Sequence, residues 1–355
     1  MNGQLTRRQA LGSLAALAAG GLVLQPERQA AAAMSPALKK AVYKGLDWVA
    51  GAQAKLGFWD VSGPEARAEG GHYRIPMTAL AGMALLCEGS TTTQGKYKKQ
   101  ISQAVEYLIS QTKDNGLIGI PQDYRYTYGH GFSMLFLSQV LGEEEDMERR
   151  ERMVQVLTKA AKFSGDAQTK KGGWGYVSAR DGSDFDEGST TVTQVQGLRG
   201  CRNAGIKAPK DVIDRAIAYI YSCQMPDGGI CYSSNSRGSS RPAITAAAIA
   251  TLFNAGEYEG ERVKKLIDYC KTHLYNLSGA NSYGHWHYTY YYYTQALYRL
   301  GGKDWEDYRD RLYRRLMGEQ ASNGSWSGYV GPIYCTSLNL TMLQLENAYL
   351  PIYQK

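Results

Sequence analysis

Asp184-Phe185-Asp186-Glu187-Gly188-Ser189 gathers three carboxylates immediately before an apolar stretch of helical spacing. Carboxylates this close cannot all ionise, so one of them can hold its proton and serve as an acid. The same run also suits a helix start, with Ser189 as cap and acidic side chains at the positive end of the helix dipole. The residues leave both roles open. A second set of candidates is aromatic and cationic. The chain has 27 Tyr against 6 Phe, whereas a core would draw more on Phe and Leu. Tyrosines can pack between helix layers with their hydroxyls at a polar rim, or wall a cavity that steadies a cation or stacks on a sugar ring. Tyr128, His130, Trp174, Arg237, His285, Trp286 and Tyr329 are the candidate ligand-binding residues.

Other chemistries find little support. In His285-Trp286-His287 the two imidazoles are two residues apart, which puts them on different sides of a helix, so no metal site is expected, and no cofactor. No nucleophile elbow, phosphate-binding glycine loop or Ser/His/Asp order stands out. Most of the six cysteines (Cys87, Cys201, Cys223, Cys231, Cys270 and Cys335) fall on apolar helical faces, where the thiol behaves as a small buried hydrophobe.

The elements that must position these residues repeat along the chain. Gln53, Gln111, Gln168, Gln224 and Gln320 each precede a glycine- and aromatic-rich turn: Gly57-Phe58-Trp59, Gly116-Leu117, Gly172-Gly173-Trp174, Gly228-Gly229 and Gly324-Ser325-Trp326. Gly284-His285-Trp286 marks one more turn between the last two. Before each turn runs a helix with charges on one face: Ala37 to Gln53, Lys96 to Gln111, Arg149 to Phe163, Lys210 to Gln224, Glu261 to Leu277 and Trp305 to Gln320. After each comes a helix apolar almost all round: Met77 to Leu86, Phe132 to Leu141, Thr190 to Gly200, Ile244 to Phe253, Tyr288 to Leu300 and Thr336 to Glu346. Such pairs cannot bury their apolar faces alone and must stack on their neighbours. Six pairs predict an all-α ring over residues 36–355, six inner helices inside six outer ones. The loops before the inner helices then meet at one mouth, where six positive helix ends favour an anionic or electron-rich guest.

Residues 1–33 read as an export signal. Arg7-Arg8 precedes an uncharged segment from Leu11 to Leu24, and Ala30 to Ala33 offers a small-residue cleavage site. The paired arginines resemble a twin-arginine signal, which places the mature protein in the periplasm or outside the cell. The segment is too short and too rich in Ala and Gly to anchor in a bilayer, and no later stretch is apolar enough to span one. Without residues 1–33 the net charge falls from +7 to +5, with three arginines and one glutamate lost. The basic residues spread along outer helices, so nucleic acid is not an expected partner. The expected partner is a small-molecule or polymeric ligand in the mouth.

The whole of residues 36–355 resembles the α/α-toroid superfamily of squalene–hopene (terpene) cyclases and protein prenyltransferases. It resembles most the exported single-toroid proteins described as prenyltransferase/squalene-oxidase repeat proteins. The Gln…Gly-Gly-Trp turns are similar to the cyclases' repeat. Tyr290-Tyr291-Tyr292-Tyr293-Thr294-Gln295, Gly324-Ser325-Trp326 and Tyr334-Cys335-Thr336 carry the likeness in the last third. Cyclases bear Asp-x-Asp-Asp-Thr-Ala before an inner helix and protonate an alkene from its middle aspartic acid. By resemblance Asp186 is that acid and Asp184 and Glu187 its modulators, although Glu187 and Gly188-Ser189 depart from the motif. The zinc ligands of prenyltransferases find no counterpart. Asp268-Tyr269-Cys270 lies inside an outer helix, and Tyr334-Cys335 stands where the histidine would be. The Gly-Cys-Gly-Glu-Gln run of thioester domains is also missing. The resemblance implies an exported terpene-cyclase-like or prenoid-binding toroid. Two other classes remain: a non-catalytic envelope scaffold, and a lyase-like glycan enzyme with Arg74, Arg237 or Arg241 on carboxylates.

Overall fold

Amphipathic and wholly apolar helices alternate along the chain, and the two kinds occupy different layers. The computed structural model describes residues 34–61, 73–182, 184–277 and 285–354. The export-signal reading on residues 1–33 and Gly284 of the turn before Trp286 lie outside them. The outer helices are α1 (Pro36–Gly51), α3 (Lys98–Ser110), α5 (Met147–Ala167), α7 (Lys210–Ser222), α9 (Glu261–Leu274) and α11 (Gly302–Glu319). The inner helices are α2 (Arg74–Leu86), α4 (Tyr126–Leu141), α6 (Gly188–Asn203), α8 (Pro242–Ala255), α10 (Trp286–Leu300) and α12 (Pro332–Leu343). Helix α7 buries only Val212, Ile213, Ala216, Tyr219 and Ile220, one stripe at helical spacing. Every residue of α2 from Ile75 to Leu86 is buried. Each inner helix packs on the next, and α12 returns to α2. The ring is closed.

The repeated turns join one pair to the next. Gln53 Nε2 donates to its own turn at the Gly57 carbonyl and to the Gln100 carbonyl of the following outer helix, both at 2.9 Å. Gln168 does the same toward Gly172 and Val212, and Gln224 toward Gly228 and Arg262. Gln320 reaches Gly324 and Ala41, which ties the last pair to the first. A tryptophan then fills the gap between layers. Trp59, Trp174 and Trp326 are buried, and their ring N–H groups donate to the carbonyls of Val49, Ser164 and Leu316.

Inner helices start earlier than the apolar stretches do. Helix α4 opens at Tyr126, not Phe132, so Tyr128 and His130 are helical and not in a loop. Polar and aromatic residues in the first turns are covered by the preceding loops, so burial there does not follow hydropathy. The last inner helix stops at Leu343, short of Glu346. The chain continues through 3-10 turns at Leu345–Asn347 and Pro351–Tyr353. That tail lies across the far end of the barrel: Tyr353 bonds Tyr291 at 2.8 Å, and the Ile352 N–H donates to Gln139 Oε1 at 3.3 Å. The barrel is stoppered at one end and open at the other.

Candidate active site

The N-terminal ends of all six inner helices surround a cavity of about 360 Å³, a size that holds a small molecule. Tyr128, Phe132, Tyr288 and Tyr334 form much of its wall, with Met77, Leu80 and Ile244 between them. At the rim Tyr176 and Tyr232 join hydroxyl to hydroxyl at 2.5 Å. The Arg125 guanidinium lies 5.0 Å from the Tyr176 ring and that of Arg241 4.5 Å from the Tyr232 ring. Two cations on an aromatic arch, above six positive helix ends, make the entrance attractive to an anionic group.

The carboxylates of the acidic run part company in the structure. Asp184 is exposed and accepts the Lys170 N–H at 3.0 Å. Asp186 is fully buried, but its oxygens turn to the neighbouring loop. They accept Ser233 Oγ–H and Ser234 N–H at 3.0 Å and Ser234 Oγ–H at 2.8 Å. It does not line the cavity. Glu187 is the cap of α6, in place of the expected Ser189: it accepts the backbone N–H groups of Ser189 and Thr190 at 3.0 and 2.6 Å. Ser189 Oγ donates to it at 2.6–2.7 Å and makes a short contact with the Tyr128 hydroxyl, itself 3.4 Å from Glu187 Oε1. Ser189 and Tyr128 both line the cavity. Burial pushes the Glu187 carboxyl above the usual carboxylate range, against the opposing pull of these hydrogen bonds. Burial also holds Tyr128 far above the ordinary phenol range, so it stays a neutral hydroxyl.

The other candidates divide. His285 lines the cavity beside Tyr288. His130 is fully buried outside it: Nδ1 accepts the Ile118 N–H, and Nε2–H donates to the Ala160 carbonyl, both at 3.1 Å. Trp174 is an interlayer wedge. Trp286 packs on Tyr290 with centroids 4.6 Å apart, under the Arg315 guanidinium. Arg237 and Tyr329 are exposed and off the cavity; Arg237 donates to the Gln224 carbonyl. Arg125, Tyr176, Tyr288 and Tyr334 line the cavity but stand outside the candidate ligand-binding set. Their shared signal is position, within the turn before an inner helix or its first turn. Among the described residues no three His, Cys, Asp or Glu side chains are placed to hold a metal ion, and no helix is long and apolar enough to cross a membrane. All six thiols are buried and unpaired.

Two concentric rings of six helices around an apolar, aromatic cavity make this an α/α toroid. Over 162 residues, 46% of this chain, it is 25% identical to drimenyl diphosphate synthase of Streptomyces showdoensis. That match spans 27% of the relative, about a quarter of its length. Among solved structures, a variant of the type II terpene cyclase MstE from Scytonema, bound to geranylgeranyl dihydroxybenzoate, superposes with a TM-score of 0.60. The identity is 14%, over 88% of this chain and 98% of that one. An inactive variant of the α-1,6-mannanase GH76A of Salegentibacter sp. HEL1_6, in complex with α-1,6-mannotriose, gives 0.63 at 8% identity, over 88% and 99%. No family model matches the chain. At such identities the solved structures establish the fold and leave the chemistry to the site.

Proposed function

We propose that this toroid is an exported, acid-initiated cyclase of a polyprenoid with an anionic head group, and that Glu187 is its acid. The observation that carries the reading is the Glu187–Ser189–Tyr128 chain, which leads from a buried carboxyl whose pKa burial raises to the cavity wall. In the acid form of Glu187 the Ser189 hydroxyl turns to accept its proton while passing its own to Tyr128, and the Tyr128 hydroxyl delivers one to an alkene carbon of the substrate. The alkene electron pair forms the new C–H bond, and the next alkene attacks the resulting carbocation to close a ring. The rings of Tyr128, Tyr288 and Tyr334 face the spreading positive charge. Loss of a proton from the final cation back through the relay restores Glu187, so product and substrate are isomers. Arg125 and Arg241 bind the head group, and Asp186 and Asp184 hold the loops that shape the site.

The test is incubation with a polyprenyl diphosphate in D₂O. The expected product is a cyclic isomer carrying one solvent-derived deuterium at the initiating carbon. Glu187→Gln keeps the helix cap through its amide oxygen and is expected to lower turnover by roughly 10²-fold or more. Turnover should also fall as pH rises through the raised Glu187 pKa, since the acid form is the active one. Full activity in Glu187→Gln, or no binding of any polyprenoid, would remove the reading. Asp186→Asn is expected to lower the melting temperature more than turnover, because its partners are Ser233 and Ser234. A glycan enzyme would instead bring two carboxylates to one cleft, and among the described residues no carboxylate lines this cavity, Glu187 reaching it through Ser189 and Tyr128; α-1,6-mannotriose serves as the control ligand. For export, replacing Arg7 and Arg8 with lysines should retain folded precursor in the cytoplasm. Undiminished export of that variant would point to the general secretory route.

A further inference from the structure

At the stoppered end of the barrel, remote from the cavity just described, a second cavity of about 140 Å³ lies between α6, α8, α10 and the C-terminal tail. Its wall is polar and cationic: Arg199 and Asn203 from α6, Asn254 from α8, Arg299 from α10, then Tyr258 and Gln354. Among the described residues no carboxylate belongs to it. Arg299 Nη2 donates to Asn254 Oδ1 at 3.1 Å and to the Ile352 carbonyl. Its Nη1 is buried without a hydrogen-bond partner. Arg199 makes no hydrogen bond or ion pair among the described residues.

A guanidinium cannot shed its proton in a protein, so two of them beside one pocket favour an anion between them. Burial drives Arg299 below the ordinary guanidinium range, and Arg199 pushes the same way. The unused Nη1 donor, the fork of Arg199 and the amide of Asn203 have no hydrogen-bond partner among the described residues, while the Gln354 amide donates to the Ala348 carbonyl at 2.7 Å.

We infer that this pocket binds one small oxyanion of the phosphate class, held between Arg199 and Arg299, and that the anion locks the C-terminal tail onto the barrel floor. Arginine forks match the oxygens of such an anion in pairs. The anion would sit beside Ile352 and Gln354, so its binding and the docking of the tail are one event. The competing account is that both arginines only neutralise the negative ends of α6, α8 and α10. The two accounts differ in their response to phosphate.

Full-length protein is melted in rising inorganic phosphate and in chloride at matched ionic strength. The expected result is a saturable rise in melting temperature of roughly 2–4 °C in phosphate. Arg199→Gln should abolish the saturable part, leaving only the general salting effect of phosphate. Asn203→Asp places a carboxylate in the pocket; it should raise the melting temperature without phosphate and erase the response. Coincident curves in the two salts overturn the inference, as does a saturable rise that survives Arg199→Gln. Equal destabilisation by Arg199→Gln in both salts assigns the arginines to the helix ends instead. Should Arg199→Gln not fold, calorimetric phosphate titration of the wild type and of Asn203→Asp decides.

Discussion

His130 shows how one position can carry a different residue for the same duty. In four other repeats a threonine hydroxyl accepts the N–H of the residue that follows the turn: Thr78 for Trp59, Thr191 for Trp174, Thr245 for Ile230 and Thr336 for Trp326. His130 Nδ1 does this for Ile118, and only the neutral ring can accept there while donating to Ala160. Burial accordingly lowers its pKa from 6.5 to about 4. The folded protein therefore binds fewer protons than the unfolded chain between those values. Stability is expected to be full above pH 6.5 and to fall on acidification toward pH 4, by up to about 3 kcal/mol at 1.36 kcal/mol per pKa unit. Urea unfolding at pH 7, 5.5 and 4.5 measures this. His130→Thr should flatten that acid limb at some cost in stability at pH 7, and an unchanged limb would exonerate the imidazole.

At the scale of elements, the Gln–Gly turn is the joint between neighbouring pairs. Gly172 has φ +96°, where a side chain is strained, and an added Cβ would lie 2.3 Å from the Arg215 carbonyl oxygen. Gly57, Gly116, Gly228 and Gly324 meet the backbone of the next outer helix in the same way. Gly172→Ala is expected to cost roughly 2–5 kcal/mol from strain and overpacking together. Gly318, in the last turn of α11, faces open space. Gly318→Ala should be neutral or stabilise by up to about 1 kcal/mol. Paired denaturation curves test the contrast, and equal effects of the two substitutions would refute it.

For the whole molecule, closure decides how it unfolds. An open stack of helix pairs can fray from its ends, whereas a ring has none. The first and last pairs are joined by Gln320 on Ala41, Gln344 on Ala84 at 3.1 Å and Asn347 on Cys87 at 2.9 Å. Gln320→Ala removes two hydrogen bonds and strands two carbonyls, a loss of roughly 2–4 kcal/mol. The melt should shift as one transition, with far-ultraviolet dichroism and tryptophan fluorescence superposing. Separate transitions by the two probes would mean that the pairs unfold independently.

The sequence by itself determined the helix pairs, their number and the glycine turns, because periodicity, charge placement and backbone freedom are local properties of a chain. It also marked the end of the barrel where polar and aromatic residues collect. Only the tertiary structure decided what each of them does there. Asp186 and Glu187 are adjacent in the chain, yet one faces the Ser233–Ser234 loop and the other lies behind Ser189 and Tyr128. Successive side chains diverge at a helix start, and which neighbour each meets depends on loops about fifty residues away. Trp174, read as a ligand contact, is an interlayer wedge, since an aromatic beside a turn looks alike in sequence whether it faces a cavity or a seam. Arg199 and Arg299, one hundred residues apart on two helices, become neighbours only when the ring has closed.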